Sequence, residues 1–101
     1  MTFNEWFEEN LSDYAEDIAN HGADSGFPHI TYYSDTEKVY NQFESEIYEA
    51  ISDDADSMGF DNVDQMISQF NRSDMLDDPT QRRCLLVWYM CERTAQEYTN
   101  C

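Results

Sequence analysis

The segment Cys84–Cys91 constrains the fold of this chain most strongly, because all eight of its residues are apolar. It follows Asp78-Pro79, an N-cap residue with a proline at the first helical position, so we predict a helix over residues 79–98. A helix that is apolar on every side is normally buried on every side. We therefore expect this C-terminal helix at the centre of the molecule, with the other helices packed around it.

The first of those other helices is predicted over residues 3–20. Thr2 and Glu5 form a capping box, and apolar residues then recur at helical spacing until His21-Gly22. Residues 22–33 hold two of the three glycines and end in the β-favouring run Ile30-Thr31-Tyr32-Tyr33. We call residues 22–33 the aromatic loop, and we expect it to be ordered and partly extended without forming a sheet.

Two further helices are predicted in the middle of the chain. Ser34 and Glu37 form a second capping box, which opens a long helix that ends before Gly59. A short helix follows, opened by Asp61 or Asn62 and reaching residue 70. The expected fold class is therefore all-α: a compact bundle of about four helices around a buried C-terminal helix, with the ordered aromatic loop between the first two.

The length of the chain, 101 residues, suits one domain, which we expect to span residues 1–101. No stretch approaches the roughly 20 apolar residues that a membrane span needs, and the N terminus lacks the basic region of a signal peptide. We therefore expect a cytoplasmic protein, in the cytoplasm of a host cell, with no membrane partner. Cys84 and Cys91 would be about 10 Å apart along one helix, too far for a disulfide, so we expect small buried apolar side chains.

The charge of the chain is far from balanced. It carries 22 acidic and 5 basic residues, a net charge of -17, and 17 of the acids lie in residues 1–71, where Lys38 is the sole basic residue. Solubility of a small domain requires a net charge of only about 2 to 8. The acidity therefore points to a function of the surface.

Most of these acids fall on two predicted helix faces, opposite the apolar residues. The first acidic face comprises Glu5, Glu8, Glu9, Asp13, Glu16 and Asp17, and the second acidic face comprises Glu46, Glu49, Asp53 and Asp56. Each like-charged pair three or four residues apart destabilises a helix by about 0.2 to 0.5 kcal/mol. A merely solvated helix face usually mixes both signs of charge, and these two faces do not.

Carboxylates spaced by roughly 5 to 6 Å on a rigid helix can imitate the phosphate row of a nucleic acid. We interpret both acidic faces as a surface for a lysine- and arginine-lined groove, which the protein would block without binding nucleic acid itself. A plain solvated surface and adaptation to high salt are two alternatives. Adaptation to high salt is disfavoured because residues 72–101 are nearly balanced, with five acids and four arginines.

The sequence offers little for catalysis or metal binding. Asp54, Asp56 and Gly59 loosely resemble a calcium loop, but Met58 occupies a position where an oxygen ligand belongs. The only histidines are His21 and His29, and no phosphate-binding loop or nucleophile motif is present. We expect no enzymatic activity, no cofactor and no metal site.

The stretch from His21-Gly22 to Tyr32-Tyr33-Ser34-Asp35-Thr36 resembles a signature of small, largely uncharacterised proteins encoded by phages and mobile elements. The resemblance covers residues 21–36 and, more loosely, the following helix and the helix around Leu85–Trp88. It implies a conflict between phage and host, in which small acidic proteins inhibit CRISPR or restriction machinery, so an anti-CRISPR protein is one candidate. Either Phe27, Tyr32 and Tyr33 pin the aromatic loop to the core, or the two tyrosines contact the partner directly.

The leading hypothesis is an inhibitor that binds the basic surface of a host nucleic-acid-binding protein or ribonucleoprotein complex. The first alternative is an adaptor that modifies host transcription or replication through the aromatic loop, and the second is an acidic housekeeping domain with no link to nucleic acids. Trp88, Tyr89 and Met90 offer more apolar surface than a small bundle easily covers, which leaves a homodimer open.

Overall fold

The computed structural model describes residues 1–23, 27–69 and 77–100, and within these ranges it contains five α-helices and no strand. The predicted all-α class is therefore confirmed. The helices are α1 (Phe3–Leu11), α2 (Ala15–His21), α3 (Tyr33–Met58), α4 (Val63–Ile67) and α5 (Pro79–Thr99), with a 3₁₀ turn at Ser12–Tyr14 between α1 and α2. None of the described helices is long and apolar enough to cross a membrane.

The capping box at the start of α1 is confirmed. The Glu5 backbone N–H donates to the Thr2 hydroxyl oxygen (3.2 Å), and the Thr2 backbone N–H donates to the Glu5 carboxylate (3.1 Å). The first helix nevertheless does not continue to residue 20, as the sequence predicted. Leu11 (φ -127°, ψ 4°) and Tyr14 (φ -107°, ψ 3°) leave the helical region, and the 3₁₀ turn between them separates α1 from α2.

The tertiary contacts of α2 account for this interruption. A 3₁₀ turn has 3.0 residues per turn instead of 3.6, so it rotates the faces of the helix that follows. In α2 the buried residues are Ala15 and Ile18, and α2 packs extensively against α5. In α1 the Phe3 ring instead lies 5.5 Å from both Trp6 and Phe43, where α3 is kinked.

The start of α3 also differs from the prediction. The helix begins at Tyr33, and its N-cap residue is Tyr32, which makes no side-chain cap. Ser34 therefore lies inside the first turn and is not the N-cap of a capping box with Glu37. The Glu37 carboxylate forms an ion pair with Arg83 instead (2.9 Å), a contact across 46 positions that no local sequence rule contains.

Three further predicted helix ends are confirmed. Gly59 ends α3 in the left-handed conformation (φ 84°, ψ 19°), which favours glycine. Asn62 caps α4, and Asp78 caps α5 with Pro79 at the first helical position. The short helix ends earlier than predicted, because α4 stops at Ile67 with Ser68 as its C-cap, whereas the sequence predicted a helix reaching residue 70, which itself lies outside the described residues.

The C-terminal helix α5 is the centre of the bundle. It packs most extensively against α3 and then against α2, and every residue from Cys84 to Cys91 is buried except the half-buried Tyr89. The Trp88 indole N–H donates to the carbonyl oxygen of Ile30 (3.3 Å), and the Tyr89 hydroxyl donates to Asp54 (2.9 Å). The apolar surface that left a homodimer open is therefore largely covered within the chain. A radius of gyration of 12.7 Å fits a compact bundle.

Candidate functional site

All six carboxylates of the first acidic face are exposed. Glu5, Glu8 and Glu9 lie on α1, Asp13 lies in the 3₁₀ turn, and the last two lie on α2. Because the turn interrupts the helix, the face consists of two short rows instead of one straight row. The like-charged pairs of Glu5 with Glu8 and Glu9 remain within α1, whereas every pair that includes Asp13 involves the 3₁₀ turn.

Glu5 has a structural role as well as an exposed position. Its carboxylate accepts hydrogen bonds from the backbone N–H and the hydroxyl of Thr2, both at 3.1 Å. The two bonds hold the pKa of Glu5 below its ordinary value of 4.5, and the bond from the backbone N–H has the larger effect. Glu5 is therefore ionised at neutral pH and contributes its full charge to the first acidic face.

The second acidic face lies on α3, and its four carboxylates are also exposed. Glu49 and Asp53 line a shallow groove together with Glu44 and Tyr48, whose side chain is 44% exposed. Glu46 differs from the others, because its carboxylate accepts a hydrogen bond from the backbone N–H of Phe3 (3.2 Å). The second face thus combines an open acidic groove with a carboxylate that anchors another helix.

The two acidic faces meet at the N terminus of α1. The adjacent backbone amides of Thr2 and Phe3 donate to Glu5 of the first face and to Glu46 of the second face, respectively. Glu5 of the first acidic face and Glu46 of the second therefore adjoin at this point, through a contact of Phe3 with Glu46 that spans 43 positions of the sequence. The sequence predicted each face but not their junction.

The arginines of the described residues are all engaged with carboxylates elsewhere. Arg82 pairs with Asp64 (2.8 Å), and Arg93 pairs with Asp54 (2.9 Å) and with Glu97 (3.5 Å). The pair between Glu37 and Arg83 has been described above. Within residues 1–23, 27–69 and 77–100, no ion pair includes a carboxylate of either acidic face. The combined acidic surface therefore carries negative charge that no described cation neutralises at contact distance.

The aromatic loop presents both predicted tyrosines to solvent. Tyr32 is 70% exposed and Tyr33 is 46% exposed, so neither pins the loop to the core. Ile30, whose side chain is fully buried and whose carbonyl oxygen accepts the indole N–H of Trp88, and the partly buried Phe27, which packs against the core, do so instead. Within the turn that precedes Ile30, His29 adopts φ 69°, a left-handed conformation that non-glycine residues rarely occupy. The loop is thus anchored from one side and exposes its tyrosines on the other.

A cleft between α1 and α5 was not predicted from the sequence. It is lined by Asn4, Phe7, Glu8, Thr94, Glu97 and Tyr98. A second cleft shares Tyr98 and includes Asp13 and Glu16 of the first acidic face. The helical spacing of Thr94 and Tyr98 was visible in the sequence, but their proximity to the acids of α1 depends on how the two helices pack.

The remaining side chains that could carry chemistry are the thiols and the potential metal ligands. Cys84 and Cys91 are buried, and burial raises the pKa of both thiols, so both stay protonated near neutral pH. In the part of the chain that the structure describes, no group of three His, Cys, Asp or Glu side chains is placed to bind a metal ion. The exposed carboxylates of the two acidic faces can attract and bind cationic groups.

A family model matches residues 2–100, which include both acidic faces, the aromatic loop and the cleft. The chain belongs to the DUF7222 family. This family is described as a domain of unknown function, so membership in DUF7222 assigns no activity to the surface. No curated protein and no solved structure matches the chain.

Proposed function

We propose that this protein is a phage-type inhibitor of a host nucleic-acid-binding defence complex, and that it acts as a nucleic-acid mimic. Its two acidic faces would occupy a groove lined by lysine and arginine and so exclude DNA or RNA from that groove. An effector complex of a CRISPR system is the favoured target, and a restriction enzyme is the next. The phage setting follows from the resemblance of residues 21–36 to phage and mobile-element proteins.

The observation that carries this proposal is the continuity of the acidic surface. Glu5 and Glu46 accept hydrogen bonds from the adjacent backbone amides of Thr2 and Phe3, so the two faces adjoin at the start of α1. The described arginines are engaged elsewhere, which leaves the surface available to an external cation-lined groove. Affinity of such grooves for nucleic acid comes largely from charge neutralisation and counterion release, which carboxylates can reproduce.

A competition experiment tests the proposal. The protein captures its target from a host lysate, and the purified target is then loaded with labelled DNA or guide RNA. We expect stoichiometric amounts of the protein to release the nucleic acid, and an excess of unlabelled nucleic acid to displace the protein in return. Stable complexes that contain target, nucleic acid and this protein together would contradict mimicry.

The exposed tyrosines favour a second candidate function, an adaptor that modifies host transcription or replication through the aromatic loop. Tyr32 is the most exposed large hydrophobic residue that is described, and it lies close to the left-handed His29. For an adaptor, Tyr32→Ser with Tyr33→Ser would abolish target binding while the target keeps its nucleic acid. Tyr48→Ser is the matched control, since Tyr48 is 44% exposed on α3, and equal losses in both variants would count against the adaptor.

A further inference from the structure

A polar pocket lies between α3 and the N-terminal part of α5, and none of its lining residues belongs to either acidic face. Its volume is about 310 Å³, and it is lined by Tyr40, Asn41, Glu44, Pro79, Arg82 and Arg83. At about 30 Å³ per water molecule, the pocket has room for about ten waters, or for a molecule of about ten heavy atoms. Because every lining residue except the proline carries a polar or charged group, the pocket suits a small polar ligand.

The pocket contains charges of both signs, and these charges do not pair with each other. Arg82 pairs with Asp64 and Arg83 pairs with Glu37, whereas no ion pair among the described residues joins either arginine to Glu44. The Glu44 carboxylate and the two guanidinium groups therefore line one space without touching. A ligand that carries both a negative and a positive group can bridge them.

Both arginines keep N–H groups that their carboxylate partners do not use. Arg82 contacts Asp64 through Nε and Nη2, and Arg83 contacts Glu37 through Nη1. Each guanidinium has five N–H donors. Nη1 of Arg82 and Nε and Nη2 of Arg83 can therefore donate to a carboxylate that enters the pocket.

The Tyr40 hydroxyl is a further polar group of the pocket, and it is independent of the charges. Tyr40 is only 7% exposed, and its hydroxyl makes no hydrogen bond among the described residues. It keeps accessible surface, unlike the enclosed hydroxyl of Thr94. Polar groups of buried side chains have a hydrogen-bond partner in the large majority of cases, so a ligand that bonds to this hydroxyl would complete a normal arrangement.

Electrostatic effects place this hydroxyl among the charged groups of the pocket. Burial, followed by the charge of Glu44, raises the pKa of the Tyr40 hydroxyl, and Arg82 and Arg83 act in the opposite direction. All three charged side chains are therefore close enough to the hydroxyl to act on it. A ligand that bridges Glu44 and the arginines would pass within reach of Tyr40.

We propose that this pocket binds a free amino acid in its zwitterionic form. The α-carboxylate accepts hydrogen bonds from the free N–H groups of Arg82 and Arg83, and the α-ammonium donates to Glu44. The Tyr40 hydroxyl bonds to the same ligand. This inference is independent of the proposed function, because the pocket includes no residue of either acidic face.

The charge of the chain favours a zwitterion over a simple ion. An anion would meet the Glu44 carboxylate and the field of a protein with a net charge of -17. A cation would meet two guanidinium groups in the same small space. A zwitterion has no net charge and places each of its charged groups beside a group of the opposite sign.

The test uses the full chain and three related probes. L-glutamine, which has about ten heavy atoms, is titrated into ¹⁵N-labelled protein. N-acetyl-L-glutamine, which lacks the ammonium, and L-glutamine amide, which lacks the carboxylate, are titrated in parallel. We expect saturable chemical-shift changes around Tyr40–Glu44 and Arg82–Arg83, with L-glutamine bound at least about threefold more tightly than either analogue.

Each other outcome of the titration contradicts the proposal. N-acetyl-L-glutamine that binds as tightly as L-glutamine would show a simple anion site. L-glutamine amide that binds as tightly would show that the acidity of the protein attracts any cation. Shift changes that do not saturate, or that lie outside the pocket, would show that the pocket binds no amino acid.

Two variants locate the ligand, and a third is the control. Tyr40→Phe should weaken binding of L-glutamine by about three- to tenfold, as expected for the loss of one hydrogen bond to a charged group. Glu44→Gln should weaken binding of L-glutamine and leave it no tighter than that of N-acetyl-L-glutamine, because the ammonium loses its partner. Asp61→Asn removes the same charge as Glu44→Gln at an exposed position outside the pocket and should leave the affinity unchanged.

Thermal denaturation shows that each variant folds. Tyr40→Phe should be at least as stable as the parent protein, since it keeps the buried ring and removes a hydroxyl that has no partner among the described residues. Tyr40→Phe that binds L-glutamine like the parent protein, or Asp61→Asn that weakens binding as much as Glu44→Gln, would overturn the amino-acid site. Neither result would bear on competition with nucleic acid, which tests the acidic faces separately.

Discussion

The backbone N–H of Phe3 donates a hydrogen bond to the carboxylate of Glu46, with N···O distances of 3.2 and 3.4 Å to its two oxygens. Phe3 is the first residue of α1, so its N–H has no acceptor within the helix. A carboxylate at that end also interacts favourably with the helix dipole. One member of the second acidic face therefore stabilises the fold, and its effect can be separated from that of its neighbours.

Removal of the Glu46 carboxylate should destabilise the protein. We expect Glu46→Ala to lower the free energy of unfolding by about 1 kcal/mol, because α1 loses a hydrogen-bond acceptor and a favourable charge at its N terminus. Urea denaturation followed by circular dichroism measures the change. Glu49→Ala, three positions further along α3 and equally acidic, should change stability by less than about 0.5 kcal/mol. Equal losses would show that the contact with Phe3 contributes nothing.

Charge reversal on the first acidic face should stabilise the protein and weaken its binding. Glu9→Lys with Asp13→Lys relieves like-charge repulsion within α1 and between the turn and α2, so we expect the melting temperature to rise by about 3–6 °C. Inhibition or target binding should fall in the same variant. Both effects are measured on one preparation, by thermal denaturation and by a binding assay.

The structure shows which acidic residues can serve as a control for charge reversal on the first acidic face. Glu92 and Glu97, which flank the basic Arg93, are unsuitable, because Glu92 accepts the backbone N–H of Ala23 (2.9 Å) and Glu97 lines the cleft. Asp61→Lys with Asp77→Lys gives the same change in net charge at exposed positions outside both faces. If this control loses as much binding as the variant of the first acidic face, the acidity acts only as bulk charge.

Salt should affect stability and binding in opposite directions. Screening weakens the repulsion among the surface carboxylates, so the melting temperature should rise with added NaCl. The same screening should lower the affinity for a basic target by about tenfold or more between roughly 50 and 200 mM salt. Both are measured over one salt series. An affinity that does not change across the series would exclude an electrostatic mimic.

Stability should be lost at alkaline pH through Tyr89. Burial, followed by the hydrogen bond to Asp54, raises the pKa of the Tyr89 hydroxyl from 10.0 to about 12. Because the folded state holds this proton more tightly than the unfolded state, the contribution is fully present below about pH 10 and is lost as pH rises toward 12. Cys84 and Cys91, whose pKa values are also raised, act in the same direction. Urea midpoints between about pH 7 and pH 12 should fall less steeply for Tyr89→Phe, and an unchanged slope would contradict this role.

Several features of the fold could be predicted from neighbouring residues. Thr2 with Glu5, Asp78 with Pro79, and Gly59 mark helix ends through contacts within four positions of the chain. The apolar run Cys84–Cys91 placed α5 at the centre, because no side of it can face water. Helical periodicity predicted that every carboxylate of the two acidic faces is exposed and that Cys84 and Cys91 are buried, and the structure agrees.

Other features depended on partners that are distant in the sequence. The end of α1 at Leu11 differs from what helical periodicity predicted, and the start of α3 at Tyr33 differs from what the capping signal of Ser34 predicted. Arg93 pairs with Asp54, which is 39 positions away in the sequence. The sequence contains many other acids, and the packing of α3 against α5 determines which of them Arg93 contacts.

The amino-acid sequence by itself determined the helical class, the central helix and the excess of exposed carboxylates, because these depend on composition and on spacings of three or four residues. Only the tertiary structure decided that the two acidic faces adjoin at Phe3 and Glu46, and that Glu8, Thr94 and Tyr98 line one cleft. Helix packing sets these distances through the rotation and the contacts of whole helices, and the spacing of residues along one helix contains no information about them.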